Sequence, residues 1–305
     1  MNPKVLRSTL ILPGNNRRFV EKAYQRGADA IILDLEDAVP AAEKEKTRGM
    51  IPEGAALAAK GGAKVLVRVN NEPGLLAADL EAVVHPAVNG IAFPKTESAE
   101  ELRKLDAAVT ALERARGMEP GHIRFFLMIE SPRSLLRLEE IAAASPRIDV
   151  ITLGPEDYCL ALGVEPSVDG QEIIFALSTL VTVCKAYGII PLGIVGSFAG
   201  FKDLEGYERA AGRARQLGCE GAFCIHPDQV GVLNRVYSAD PQKVDYARRV
   251  VEAFEEGVKR GTASVSVDGK MVDLAGYNRV KRIFDRAEAI AAVENRKKEA
   301  LARLG

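Results

Sequence analysis

Glu130 and Asp157 each follow a short apolar run, 125–129 and 150–153. Two carboxylates from neighbouring strand ends can set hard oxygen ligands on one divalent cation. Mg²⁺ accepts that arrangement, taking one or two carboxylates and leaving the other positions to water and substrate. The competing reading pairs each acid with a Lys or Arg at the rim. Three more apolar runs stop the same way: 31–33 at Asp34, Glu36 and Asp37, 65–67 at Arg68, and 91–94 at Lys95. Asp34 and Glu36 share a face while the chain stays extended, and three acids so close need a cation, a water-bound metal or a nearby Arg. Arg68 offers bidentate donors suited to a carboxylate or an enolate oxygen; as a rim residue pairing Glu36 it would be purely structural. Lys95 is the one strand-end candidate for a Schiff base, and its charge could instead orient the acids around it.

These charges can meet only if the runs are parallel strands of one sheet. Short apolar runs without alternation read as strands covered on both faces. Strands and helices alternate from the start. Strands at 6–12, 30–33, 64–68, 91–94, 125–129, 150–153, 188–192 and 221–225 are separated by helical stretches through 26 and over 41–60, 75–84, 98–116, 131–144, 171–187 and 203–217. Eight such units predict a (β/α)₈ TIM barrel over 1–235, whose strand ends gather at one mouth. Residues 236–305 read as an appendage: a charged helix over 241–260, a hairpin turned by Asp268-Gly269, and a last helix from 274 carrying the Arg296-Lys297-Lys298 cluster. Such an appendage packs on its own barrel or covers a neighbour's mouth.

Composition narrows the function classes. The chain has 305 residues, 47% apolar and 27% charged, with a formal net charge of −1. That balance gives no reason to expect nucleic acid or an anionic membrane as partner. No run approaches a membrane span, and Arg7 interrupts the one N-terminal candidate for a secretory signal. Cys159, Cys184, Cys219 and Cys224 form no Cys-x-x-Cys motif and no zinc-like pairing with the histidines, as expected for reduced thiols of a cytoplasmic protein. Neither a glycine-rich dinucleotide loop nor a phosphate loop of the Gly-Lys-Ser/Thr type is present. Pro13-Gly14-Asn15-Asn16 opens a helix whose amides could hold an anion, with Arg17, Arg18 and Lys22 beside it. His226, before Pro227, reads more readily as a turn residue than as a base.

Taken in order, several segments resemble one family. They are Arg7-Ser-Thr-Leu-Ile-Leu-Pro-Gly-Asn, Asp34-Leu-Glu-Asp-Ala-Val, Val67-Arg-Val-Asn, Phe93-Pro-Lys, Ile129-Glu-Ser, Gly154-Pro-Glu-Asp with Leu162-Gly163, Ile225-His-Pro-Asp-Gln-Val and Asp268-Gly-Lys-Met-Val-Asp. The set is similar to the citrate lyase β-subunit and malyl-CoA lyase group of the Mg²⁺-dependent aldolases. That resemblance implies a homo-oligomeric TIM barrel, usually a trimer, that splits a 3-hydroxyacyl thioester into a 2-oxo acid and an acetyl-type thioester. It implies Mg²⁺ on Glu130 and Asp157, Arg68 on the oxo-acid and enolate oxygens, and Glu36 and Asp37 behind the metal's water shell. Arg7, Asn15, Arg18, Lys95 and Pro155 are expected around the substrate and its CoA carrier. Asp273 is expected to reach in from an adjacent subunit and protonate the acetyl carbon. Departures fall at Pro155, at Leu274 (where the family has Pro), and in the 196–198 loop. Alternatives within the enzyme class are a citrate lyase-type complex using a carrier protein and a free-acid class II aldolase; a non-catalytic scaffold is the alternative outside it.

Overall fold

The computed structural model describes residues 5–197 and 200–304; Phe198, in the departing loop, lies outside them. Contacts divide the described chain into two compact units, one of Leu6–Tyr237 with 300–304 and the other of Val5 with Ser238–Glu299. The first unit alternates strand and helix: β1 Ser8–Pro13, α1 Arg17–Ala23, β2 Ala30–Asp34, α2 Lys44–Ala58, β3 Lys64–Arg68, α3 Pro73–Val83, β4 Gly90–Phe93, α4 Ala99–Ala115, β5 Arg124–Ile129. It continues with α5 Pro132–Leu136, α6 Leu138–Ala142, β6 Ile148–Leu153, α7 Pro155–Leu162, α8 Gln171–Tyr187, β7 Ile190–Leu192, α9 Leu204–Leu217, β8 Ala222–Cys224 and α10 Pro227–Val236.

The eight strands are parallel and ordered β7-β6-β5-β4-β3-β2-β1-β8. Two hydrogen bonds join the ends of that order, Glu220 N–H to Pro191 O and Gly193 N–H to Gly221 O, at 2.9 and 3.0 Å. The sheet is thus a TIM barrel, as the strand–helix alternation predicts. Side chains such as Ile32, Leu66, Ala92, Phe126, Met128 and Phe223 fill its interior. The opposite faces of the same strands pack against the helices.

Two helices were not expected. Pro155 at the first helical position, acids in the first turn and left-handed Gly163 at the end delimit α7, which is ordinary start and stop chemistry. His226 and Gln229 form a reciprocal cap that starts α10. The stretch expected as one helix over 131–144 is instead α5 and α6, interrupted at Arg137.

The second unit holds α11 Pro241–Lys259, the antiparallel hairpin β9 Val265–Val267 and β10 Lys270–Val272, and all but the last three residues of α12 Leu274–Ala302. Asp268 and Gly269 both have positive φ, as the tight turn requires. Ala247, Val250, Phe254, Val267, Val272 and Val280 form its small core. No helix among the described residues is long and apolar enough to cross a membrane.

Candidate active site

Strand alternation explains why the charges meet. Ala30 and Ile32 of β2 point into the barrel, as do Leu66 of β3, Phe126 and Met128 of β5, and Val150 of β6. A strand repeats its facing every two residues. The next inward positions are therefore Asp34, Arg68, Glu130 and Gly154. All four border one cavity of about 450 Å³ at the C-terminal end of the barrel, together with Pro155, Glu156 and Asp157.

Arg68 is held tightly. Its Nε donates to Asp34 Oδ1 at 2.7 Å and its Nη2 to Asp34 Oδ2 at 2.6 Å. Nη1 lies 2.9 Å from Glu36 Oε2 and 3.6 Å from Asp37 Oδ2. Burial opposes its charge, but the Asp34 hydrogen bonds and the surrounding carboxylates more than compensate and hold the guanidinium firmly protonated. Asp34, wholly buried, also accepts from the backbone N–H groups of Glu36 and Ala38. Lys95 Nζ donates to Glu36 Oε1 at 2.7 Å. Burial acts to lower the Lys95 pKa, but Glu36, Asp37 and Glu130 raise it, whereas a Schiff-base lysine must give up its proton near neutrality. Its ammonium, held against Glu36, thus suits orienting the acids rather than Schiff-base formation.

Glu130 lies directly beyond β5 and is 6% exposed. Its Oε2 accepts the Lys95 backbone N–H at 2.6 Å. The other side of its carboxylate presses on Gly154, where an added Cβ would sit 2.6 Å from Glu130 Cγ and 2.7 Å from Oε1; only glycine fits there. Asp157 stands in the first turn of α7, one helical turn past the strand end at which the sequence placed it. Burial, with Asp157 and Glu36 close by, pushes the Glu130 carboxyl up to about 7 despite the Lys95 N–H. Asp34, Glu130, Glu156 and Asp157 thus outnumber Arg68 on the cavity lining, while Glu36 and Asp37 pair with Arg68 and Lys95. Among the described residues no group of three His, Cys, Asp or Glu forms a complete metal cage. Two carboxylates, uncompensated negative charge and open space fit Mg²⁺, which keeps positions for water and substrate.

Other expected site residues are placed differently. Arg7 precedes β1 at the opposite end of the barrel, bidentate to Asp29 through Nε at 2.9 Å and Nη2 at 2.8 Å. Distance from the mouth and a committed partner remove it from the substrate. Asn15 gives its amide to Glu43 at 2.6 Å and borders neither mouth cavity. The amide expected to bind an anion at the start of α1 is taken by the Asn16 side chain, which caps Phe19 N–H. Arg17 turns to Glu21 and Glu53. Arg18, Lys22 and Arg26 instead border a second cavity of about 420 Å³, which shares Ile11, Leu12, Pro13, Phe19 and Ile225 with the first. His226 borders this second cavity while its Nδ1 caps Asp228 N–H. Asp273 belongs to the second unit, where its exposed carboxylate accepts Gly276 N–H at 2.8 Å at the start of α12.

The model of the HpcH/HpaI aldolase/citrate lyase family matches residues 7–227. The chain belongs to that family. Among its relatives, the citrate lyase subunit beta of Haemophilus influenzae is 35% identical over 289 residues, covering 94% of this chain and 98% of that protein. The L-malyl-CoA/beta-methylmalyl-CoA lyase of Cereibacter sphaeroides is 32% identical over 307 residues, covering 94% and 96%. The solved structure of CitE from Mycobacterium tuberculosis, in complex with magnesium, acetoacetate and coenzyme A, superposes with a TM-score of 0.71 at 26% identity, covering 94% of this chain and all of that one.

Within this member of the family, sequence reasoning overlooked a supporting layer. Lys44 Nζ donates to Leu35 O, Glu36 O and Asn70 Oδ1. Asn70 Nδ2 donates to Leu35 O and to buried Asp79, which also pairs with Arg48. The acid loop after β2 is thus tied to α2, α3 and the end of β3. Asn70 stands in the Val-Arg-Val-Asn segment, so the motif held the signal; Lys44 looks like any surface charge of the charged α2, whereas Asp79 interrupts the largely apolar α3.

Proposed function

We propose that this chain is a Mg²⁺-dependent carbon–carbon lyase that cleaves a 3-hydroxyacyl thioester of the citryl, malyl or citramalyl type. The products are a 2-oxo acid and an acetyl-type thioester. One observation carries the reading: Arg68, locked by Asp34, faces the same acid-rich cavity as Glu130 and Asp157. When bound there, Mg²⁺ supplies Lewis-acid polarisation of the oxo-acid oxygens. Cleavage passes the hydroxyl proton to a mouth carboxylate or water, forms the oxo-acid carbonyl as the adjacent carbon–carbon bond breaks, and leaves that bond's electron pair on a thioester enolate. Arg68, fixed and charged before substrate arrives, offers donors to the developing oxygen charge without reorganising. Glu36 and Asp37 neutralise Arg68 and Lys95, and the family resemblance assigns them to the metal's water shell. The enolate carbon must then receive a proton from an acid within reach. The family resemblance assigns that role to Asp273 of a neighbouring copy in a trimer.

The adjoining cavity supports CoA as the carrier. Arg18, Lys22 and Arg26 line it with positive charge suited to phosphates. The likeness to citrate lyase beta subunits supports a second reading, a carrier-protein thioester within a larger complex. The test is a turnover screen with malyl-, citramalyl- and citryl-CoA, with and without Mg²⁺. Mg²⁺-dependent release of a 2-oxo acid supports the proposal; full turnover in excess chelator sinks it. Turnover of a carrier-protein citryl thioester alone would select the second reading. Mixing inactive Glu130→Gln and Asp273→Ala proteins should restore part of the activity if the acid crosses between copies. No recovery in mixed oligomers would place proton donation within one chain.

A further inference from the structure

Lys95 breaks the alternation that places the other mouth residues. Ala92 of β4 faces the barrel interior, so in an extended chain Pro94 would face inward and Lys95 toward the helices. Instead Lys95 has φ of +47°, a left-handed conformation that non-glycine residues seldom adopt. This kink aims its backbone N–H at Glu130 Oε2, 2.6 Å away. Strained backbone persists only where its surroundings enforce it, and the restraints here come from neighbouring strands. Asn71 Nδ2 donates to Pro94 O at 3.2 Å and to Lys95 O at 2.9 Å. Thr96, wholly buried, donates its N–H to Met128 O and its hydroxyl to Phe93 O, both at 3.2 Å.

We propose that Asn71 is a positioning residue for the metal site: by clamping the Pro94 and Lys95 carbonyls it holds the left-handed turn whose N–H orients the Glu130 carboxylate. The inference rests on Glu130 binding the cation, as proposed above. Glu130 takes its hydrogen bond from that N–H, and the side-chain-free Gly154 leaves room for its carboxylate. Asn71 never touches the carboxylate and acts through the Lys95 peptide. Adjacent Asn70 makes the matching clamp on Leu35 O, so the residues after β3 brace the loops of both flanking strands. Partners that orient a metal ligand typically set affinity by about 10–100-fold when removed.

The test is Mn²⁺ binding to the purified full chain, followed by the loss of the free-ion electron paramagnetic resonance signal. Asn71→Ala should weaken the Mn²⁺ Kd about tenfold, with the thermal midpoint of the metal-free protein little changed. Lys95→Asn, which tolerates a left-handed backbone and keeps the N–H but lacks the ammonium, should hold the wild-type Kd within about threefold. Unchanged Mn²⁺ affinity in Asn71→Ala overturns the proposal. So does an equal loss in Lys95→Asn, which would move the effect to the ammonium–Glu36 pair. If the unmodified protein shows no saturable Mn²⁺ binding that Glu130→Gln removes, the metal reading itself fails, and the proposal with it.

Discussion

Strand β2 has an Arg–Asp pair at each end, and the two differ in everything around them. At the barrel floor Arg7 and Asp29 form a buried, bidentate pair. Another closed group at that end joins Arg147 to Glu113 and Asp106. At the mouth Arg68 grips Asp34 with the same bidentate geometry, yet Glu36, Asp37, Glu130 and Asp157 stand close by beside an open cavity. The paired charges of the floor border neither mouth cavity and serve the fold. Surplus charge beside space makes a site that awaits a cation and a substrate. The division follows the barrel's polarity, with stability at the N-terminal face and chemistry at the C-terminal one.

The strongest attempt to break this contrast is Glu130→Gln. Turnover should fall by at least about 10³-fold and lose its response to Mg²⁺, because Lewis-acid stabilisation amounts to several kcal/mol. Steady-state kinetics across a Mg²⁺ series would check it, with circular dichroism showing an intact fold. Next comes the paired exchange. Arg68→Lys should lower kcat about 10²-fold through the lost bidentate donors while the protein stays folded. Arg7→Met should break the buried bidentate pair with Asp29, costing about 3 kcal/mol in urea unfolding with kcat of the folded fraction unchanged. A catalytic loss in Arg7→Met with no loss of stability would erase the distinction between floor and mouth.

The pH response separates the two ends further. The Glu130 carboxyl is raised from 4.5 to about 7. A raised acid contributes stability that is complete below its unfolded value and disappears as pH climbs through the folded one. In chelator, the thermal midpoint of the wild type relative to Glu130→Gln should therefore fall between about pH 5 and pH 8. Added Mg²⁺ should recover most at the upper end, where the ligand is deprotonated. A flat difference across that window would remove Glu130 from the titration. The smallest effect is expected in the second cavity, where Arg18→Ala should raise KM for a CoA thioester about fivefold at constant kcat, as for an exposed ionic contact.

Much of this was legible before any coordinates. The apolar runs of β2, β3 and β5 put Asp34, Arg68 and Glu130 at strand ends; runs that are apolar throughout do not show which face is inward, and the barrel packing decides it. The turn chemistry of Asp268-Gly269 placed the second unit's hairpin. The start of α7 was equally visible in Gly154-Pro155 but went unread, because Glu156 and Asp157 look like a strand end as readily as a first helical turn. Arg7 and Arg68 were both expected at the substrate, but Arg7 precedes β1 and Arg68 closes β3, so a parallel barrel puts them at opposite ends.

Two things belong to the chain pattern itself: a parallel barrel, set by alternating strand and helix signals, and a charged mouth, set by the residues that close each strand. Which cation neutralises which acid was decided only in three dimensions. Pairing depends on a few ångströms of reach and on how much water is excluded, and neither is local in sequence. The same holds for Lys95. Its left-handed turn runs against both its residue type and the strand's facing, and it is kept by Asn71 and Thr96 contacts to strands on either side of β4.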